Sequence, residues 1–225
     1  YGYEMYRDFF VAMAGNWKAD FPNVRHYYLF QIWPRSCAMG SDGSDDKLRE
    51  VQRQLPTEFS HMSIMSTLGI IPPGPAHFPP AGYEEIAKAI FPLVQQYNYG
   101  KKPGKSITPP NSISASYTSE KKDEIAVLFD QPMVWNSEAV NELYLDGQRG
   151  KVASGTCNGT TITLTLTGSS AAKTIKYVDG GSWRQERVLR GQNGIAALTF
   201  CDVPIFYGLE DDPTRILRKP IPEKV

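Results

Sequence analysis

The sequence predicts an α/β protein in two parts, a helix-strand-helix-strand-helix segment followed by an all-β sandwich, and three observations predict it. Residues up to about 99 alternate apolar stripes at helical spacing with short apolar runs, whereas residues from about 110 onward show only short strands divided by Gly, Asn and Asp turns. Between them, Tyr99-Gly100-Lys101-Lys102-Pro103-Gly104-Lys105 is polar and carries Pro and Gly, the composition of a linker. The expected domains are an α/β part over residues 1–99, a linker over 100–110, a β-sandwich over 111–210 and a tail over 211–225.

Met5, Phe9, Phe10, Met13 and Trp17 recur at helical spacing and predict a first amphipathic helix. Residues 24–33 form a nearly continuous apolar and aromatic run, a first strand. Leu48, Val51 and Leu55 are the stripe of a second helix, whose acidic start at Asp45-Asp46 suits the positive end of the helix dipole. Residues 62–68 are a second strand, and Tyr83, Ile86, Ala87, Ile90, Leu93 and Val94 mark one face of a third helix. That order is the order of right-handed crossovers in a parallel sheet covered on both faces. Two strands are too few for such a sheet, so this part is expected to be incomplete and to leave a sheet edge and an apolar face uncovered.

In the second part the candidate strands are residues 112–118, 124–129, 142–145, 151–154, 161–167, 174–178 and 196–200. Thr161-Ile162-Thr163-Leu164-Thr165-Leu166-Thr167 alternates strictly, which puts one face on a core and the other toward water. Seven short strands at regular spacing predict an antiparallel sandwich. Trp135, Tyr144, Tyr177, Trp183 and Phe200 are most simply its core, the alternative being a platform on which a carbohydrate stacks. Asn158-Gly159-Thr160 is formally a glycosylation sequon, but Asn-Gly is also the commonest short hairpin turn, and the turn is the favoured reading.

A chain of 225 residues with 41% hydrophobic residues can bury a core, which excludes a disordered polypeptide. Its 24 basic and 24 acidic residues cancel, and no basic cluster exceeds Lys101-Lys102 or Lys121-Lys122, so neither nucleic acid nor an anionic membrane is an expected partner. No run approaches the roughly 18 apolar residues of a membrane span, and the first residues lack the order of a signal peptide. Cys37, Cys157 and Cys201 form no metal-type spacing; free thiols are expected, with a single disulfide as the alternative.

The chemistry centres on His77. Prolines at 72, 73, 75, 79 and 80 stiffen the loop around it, and the loop runs directly into the third helix, so one orientation of the imidazole can be held at little entropic cost. A loop that follows a strand and precedes a helix lies at the carboxyl edge of an open α/β sheet, where such sheets bind ligands. Two readings stand side by side: a histidine that caps or packs at a helix start, and a general base that takes the proton of a serine hydroxyl and returns it to the leaving group. Trp33-Pro34-Arg35-Ser36-Cys37 follows the first strand and reaches the same edge. There Trp33 and Arg35 are candidate substrate-binding residues, Arg35 through a paired hydrogen bond to a carboxylate, against the plainer reading of a surface arginine. Ser36 lacks the flanking small residues of a nucleophile, and His26 and His61 have no ligand partner at useful spacing, so these read as structural.

Tyr6-Arg7-Asp8-Phe9-Phe10, Leu29-Phe30-Gln31-Ile32-Trp33, Lys47-Leu48-Arg49-Glu50-Val51-Gln52-Arg53 and His77-Phe78-Pro79-Pro80-Ala81-Gly82-Tyr83, in that order, resemble the last third of sialate O-acetylesterase-like enzymes. These belong to the SGNH (GDSL-like) hydrolase superfamily, with a flavodoxin-like α/β/α domain. The resemblance continues through Val127-Leu128-Phe129-Asp130-Gln131-Pro132-Met133-Val134-Trp135, Tyr144-Leu145-Asp146-Gly147 and the run from Leu189 to Cys201, which look like that family's C-terminal β domain. What it implies is a carbohydrate O-acetylesterase with a serine nucleophile, a histidine base matched here by His77, and an oxyanion hole completed by a glycine and an asparagine. No metal or cofactor is required. The serine and oxyanion motifs lie upstream of Tyr6 in that family, so the chain is expected to be a C-terminal part, inactive alone. Its partners would be an acetylated sugar and the N-terminal part of the same enzyme, and its place periplasmic or secreted. Gly74 and Pro75 stand where the family commonly carries an Asp before the histidine. A Ser-His dyad with a backbone carbonyl is therefore preferred over an acid from elsewhere, Glu84 and Glu85 being better explained as dipole partners of the third helix. The rival reading is a non-catalytic carbohydrate-binding or scaffolding sandwich.

Overall fold

Strands β1 (Tyr27–Phe30) and β2 (Met62–Met65) pair in parallel, Tyr27 opposite Met62 and Phe30 opposite Met65. They belong to a computed structural model that describes residues 2–34, 44–74 and 77–207. β2 is buried along its length, as a strand covered on both faces must be. Helices α1 (Tyr3–Asp20), α2 (Ser44–Glu58) and α3 (Pro80–Tyr99) surround the pair. The Tyr27 hydroxyl donates to the Ala14 carbonyl of α1, whereas the Tyr28 hydroxyl reaches Asn98 of α3. Alternate residues of one strand thus meet opposite helical layers. α3 begins on Pro79 and Pro80, where a missing N–H costs nothing, and ends on Gly100 at φ 68°.

The predicted stripe of α1 forms, but only Ala14 of that helix is buried; Met5, Phe9, Met13 and Trp17 are exposed. α1 and β1 leave between them an apolar groove of about 670 Å³, lined by Phe10, Met13, Trp17, Phe21, Tyr27 and Leu29 among others. Among the described residues β1 has a partner on one edge alone. The expected uncovered edge and apolar face are both present.

From residue 112 onward the chain is β. The strands are β3 (Ser112–Tyr117), β4 (Glu124–Phe129), β5 (Met133–Val134), β6 (Leu143–Leu145), β7 (Gln148–Arg149), β8 (Val152–Asn158), β9 (Thr161–Leu166), β10 (Thr174–Tyr177), β11 (Arg190–Gly191) and β12 (Phe200–Tyr207). β5 and β11 pair by themselves; the others form an eight-stranded sheet in the order β7-β6-β10-β12-β3-β4-β9-β8. Two expectations need correction. The sheet is mixed rather than antiparallel, because β12 runs parallel to β3. The last strand occupies Phe200–Tyr207 rather than 196–200: Ala196 makes one isolated bridge to Arg190, while Leu198 N–H donates to Pro110. Alternation misled there because Ala196-Ala197-Leu198 is buried throughout and so shows no periodicity to place a strand.

β12 pairs with β10 as far as Pro204 and with β3 from Ile205 to Tyr207. A bulge opposite Ile175–Tyr177 sets Asp202 at φ 55°, a conformation Asp tolerates better than most residues, and bends the strand between its two neighbours. β9 behaves as its pattern requires: Ile162, Leu164 and Leu166 are buried, Thr165 is exposed. Gly159 at φ 58° turns the β8–β9 hairpin at the Asn-Gly site. One core runs through this sheet, with Phe129, Tyr177 and Phe200 in ring contact inside it, and it includes Leu68 from the loop after β2. Cys157 and Cys201 are free thiols, and burial pushes Cys201 up to about 12; Cys37 lies outside the described residues.

The junction between the two parts is polar and buried. Arg49 of α2 is fully buried and donates to Asp45, Asp46 and the Thr199 hydroxyl. Lys176 of β10 reaches Asp46 at 3.0 Å and Asp179 at 2.5 Å. The Gln31 side chain accepts from Thr199 N–H and donates to the Thr199 and Arg49 carbonyls, each at 2.9 Å. Arg53 bonds Glu50, Asn111 and the Ser112 carbonyl, and Glu50 accepts from Cys201 N–H. Asp45 and Asp46 are therefore more than dipole partners: they neutralise an arginine that could not be buried alone.

Candidate functional site

Parallel strands end on the same side, so the segments after β1 and β2 emerge together, and they carry Trp33 and His77. The first is fixed where it leaves the sheet. Gln31 N–H donates to the Met65 carbonyl, the Gln31 carbonyl accepts from the Thr67 hydroxyl, and Ile32 N–H donates to Gln52. The second is held from the β-rich part. Gly69 N–H donates to Gln185, whose amide donates back to the Ile70 carbonyl at 2.7 Å. Gly69 adopts φ 81°, which favours glycine, and a Cβ there would stand 2.8 Å from the Arg190 guanidinium, which would have to shift.

Nearer His77, Ile71 N–H donates to the Glu85 carboxylate at 2.7 Å and Gly74 N–H to the His77 carbonyl at 2.8 Å. The loop is thus closed on itself and tied to α3, as its prolines suggest. His77 itself is exposed, and no described residue hydrogen-bonds its imidazole. Glu85 is engaged with Ile71, and Glu84 pairs with Lys88, which holds the Glu84 carboxyl below its usual range. Neither acid orients the imidazole, and no described carbonyl does either; Pro75 and Ala76 lie outside the described residues.

Trp33 is half-buried. Its ring meets Phe78, the neighbour of His77, edge-on at 5.8 Å, and meets Trp183 at 4.9 Å. Phe78 in turn packs on Tyr83 of α3. The structure therefore brings Trp33 and the His77 loop into one aromatic cluster, while Arg35, with Ser36, lies outside the described residues. Trp183 corrects the sequence reading: it touches the β core on one side but is half-buried and reaches across the junction to Trp33. Its neighbours Gly180-Gly181-Ser182 were the available signal, since a tryptophan after a glycine pair lies in a loop rather than in a strand. Gln185 was likewise missed, and an isolated glutamine offers no pattern to find it.

His26 is structural, as expected. Its Nε2 lies 2.8 Å from the Ser63 hydroxyl and its ring stacks on Tyr97 at 3.9 Å; burial, with a smaller effect from His61, lowers its pKa. No group of three or more His, Cys, Asp or Glu is placed to hold a metal ion among the described residues, and no described helix is long and apolar enough to cross a membrane. Among the described residues, the site therefore offers an exposed imidazole with no hydrogen-bond partner, on a loop tied to α3 and adjoining an aromatic cluster.

No protein-family model and no curated protein matches the sequence. Among solved structures, the chain is similar to XAC1771, described as a novel carbohydrate acetylesterase from Xanthomonas citri, at a TM-score of 0.66 and 16% identity. The likeness covers 87% of this chain and 45% of that one, so the chain spans less than half the length of that protein and shares the fold of that portion. Two S-layer structures, the N-terminal part of the bacterial SbsC and rSbsC(31-844), each align at 18% identity. They cover 58% and 72% of this chain and 29% and 19% of theirs; TM-scores of 0.30 and 0.32 carry no argument.

Proposed function

We propose that this chain is the histidine-bearing part of a carbohydrate O-acetylesterase of the sialate O-acetylesterase-like, SGNH type. The observation that carries the reading is the fold shared over 87% of the chain with a carbohydrate acetylesterase. His77 acts as base: as a serine Oγ attacks the acetyl carbonyl, the imidazole takes its proton, then gives it to the sugar oxygen when that C–O bond breaks. Water repeats the cycle on the acetyl-serine and releases acetate. The serine and the oxyanion donors come from a part of the enzyme outside this chain, and that part adds strands to the open edge of β1 and covers the α1 groove. The uncovered aromatic residues and the unpaired edge support this, since both are costly to leave in water. In this reading residues 1–99 are the C-terminal part of the α/β/α domain. The sandwich of residues 111–210 has two layers that share β12, and Trp33 and Arg35 are substrate-binding residues of the α/β part. A periplasmic or secreted location goes with an acetylated glycan as substrate.

That no described residue hydrogen-bonds the His77 imidazole favours one rival, a non-catalytic carbohydrate-binding or scaffolding module in which that histidine does no chemistry. Replacement of His77 by Ala in the complete enzyme separates the two. Hydrolysis of p-nitrophenyl acetate should fall by about a thousandfold or more with sugar affinity unchanged. An H77A variant that hydrolyses the ester at the wild-type rate would sink the role of His77.

A further inference from the structure

We propose that Trp183, from the β-rich part, is a specificity-determining residue of this site, stacking on the pyranose ring that carries the acetyl group; the proposal rests on the esterase reading above. Three segments distant in sequence supply the rings that meet here, Trp33 after β1, Phe78 next to His77, and Trp183 after β10. Trp33 and Trp183 are both half-buried, seated on packed neighbours yet still open to solvent. A flat, apolar, partly exposed aromatic surface is what the apolar face of a sugar ring packs on, and a junction between two parts of a molecule is where such sites concentrate.

The loop carrying Trp183 is held in one place by groups of both parts. Asp46 of α2 accepts from Gly180 N–H at 3.0 Å and from Lys176 at 3.0 Å. Asp179 accepts from Lys176 and from Gly181 N–H, and Ser182 N–H donates to the Asp179 carbonyl. The Ser182 hydroxyl pairs with the Tyr144 hydroxyl at 2.8 Å. Burial opposes ionisation of Asp179, but its bonds to Lys176 and Gly181 outweigh it and hold the carboxyl below its usual range. Every residue from Asp179 to Ser182 is thereby tied, so Trp183 is presented to Trp33 without an ordering cost on binding. The β-rich part is then a wall of the site, and an ester without a sugar ring has nothing to gain from it.

The wild-type chain, W183A and W183F are titrated with O-acetylated xylo-oligosaccharides by calorimetry, with thermal melts to verify folding. Wild-type binding that weakens about tenfold or more in W183A and largely recovers in W183F is the expected result. Undetectable binding by the wild type, or equal binding by W183A and wild type, overturns the proposal. Hydrolysis of p-nitrophenyl acetate by the complete enzyme tests the esterase reading separately. Its absence sinks that reading and leaves the calorimetric result to stand alone, while a W183A enzyme that loses this sugar-free activity as steeply as sugar binding shows Trp183 to be structural and overturns the proposal.

Discussion

Helix α1 and strand β9 each carry an apolar stripe at the period their backbone demands, but α1 leaves Phe9 53% and Trp17 47% exposed whereas β9 buries Ile162 and Leu164 to 1% or less. β9 has hydrogen-bonded neighbours on both sides, β4 and β8, and its apolar face meets Tyr177, Phe200 and the rest of one continuous core. α1 packs on a strand with one partner. Periodicity selects the element, while the surrounding layers decide whether its stripe is covered. Among the described residues the β-rich part has layers that cover its apolar face, and the α1 stripe has none that covers it.

Breaking the junction between the two regions should have the largest effect. Arg49→Ala leaves Asp45 and Asp46 buried beside a cavity and deprives Thr199 of a donor. A loss of about 3–5 kcal/mol is expected, and urea denaturation should split into two transitions as the parts uncouple. A single transition at the wild-type midpoint would show that the network does not couple them.

Paired substitutions sharpen the contrast between the stripes. Leu164→Ala should cost about 2–5 kcal/mol, because it opens a cavity in a sealed core. Trp17→Ser should change stability by no more than about 0.5 kcal/mol while lowering the binding of an apolar dye, since that ring is already half in water. Equal losses in the two variants would mean that the α1 face is covered in solution.

The smallest effect concerns a contrast among buried carboxylates. Asp46 has its oxygens satisfied, whereas Glu142 is buried with Oε2 lacking a hydrogen-bond partner among the described residues and Oε1 a long 3.4 Å from Arg187. Burial raises the Glu142 pKa, so its favourable contribution is full below the usual carboxyl range and is lost as pH rises through its folded-state value. Glu142→Gln removes that loss. It should gain on the wild type by about 1 kcal/mol in melts at pH 7 and by less at pH 4, a trend that a pH-independent difference would contradict.

How much of this was legible depended on whether a residue acts along the chain or across it. α1, α2, α3, β4 and β9 were readable because stripes and turn residues are local; so was the placement of His77, since five prolines and a helix start flank it. β5, β7 and β11 were missed because two residues are too short for any period. Arg49, Gln52 and Arg53 sit on the same buried side of α2 as Leu48 and Leu55, and no local pattern marked them as buried, because the partners of Arg49 and Arg53 lie as far away as Thr199, Asn111 and Ser112.

Local pattern alone was enough for the three helices, the longer strands such as β4 and β9, the Asn-Gly hairpin and the proline-rich loop that carries His77, because each follows from backbone preference and side-chain spacing within a few residues. It took the folded chain to show that β12 pairs with two different neighbours, that Trp183 reaches from the edge of the β core to Trp33, and that Arg49 is buried against Thr199. Pairing, charge burial and surface coverage depend on which distant groups arrive beside a residue, and local preference carries no record of them.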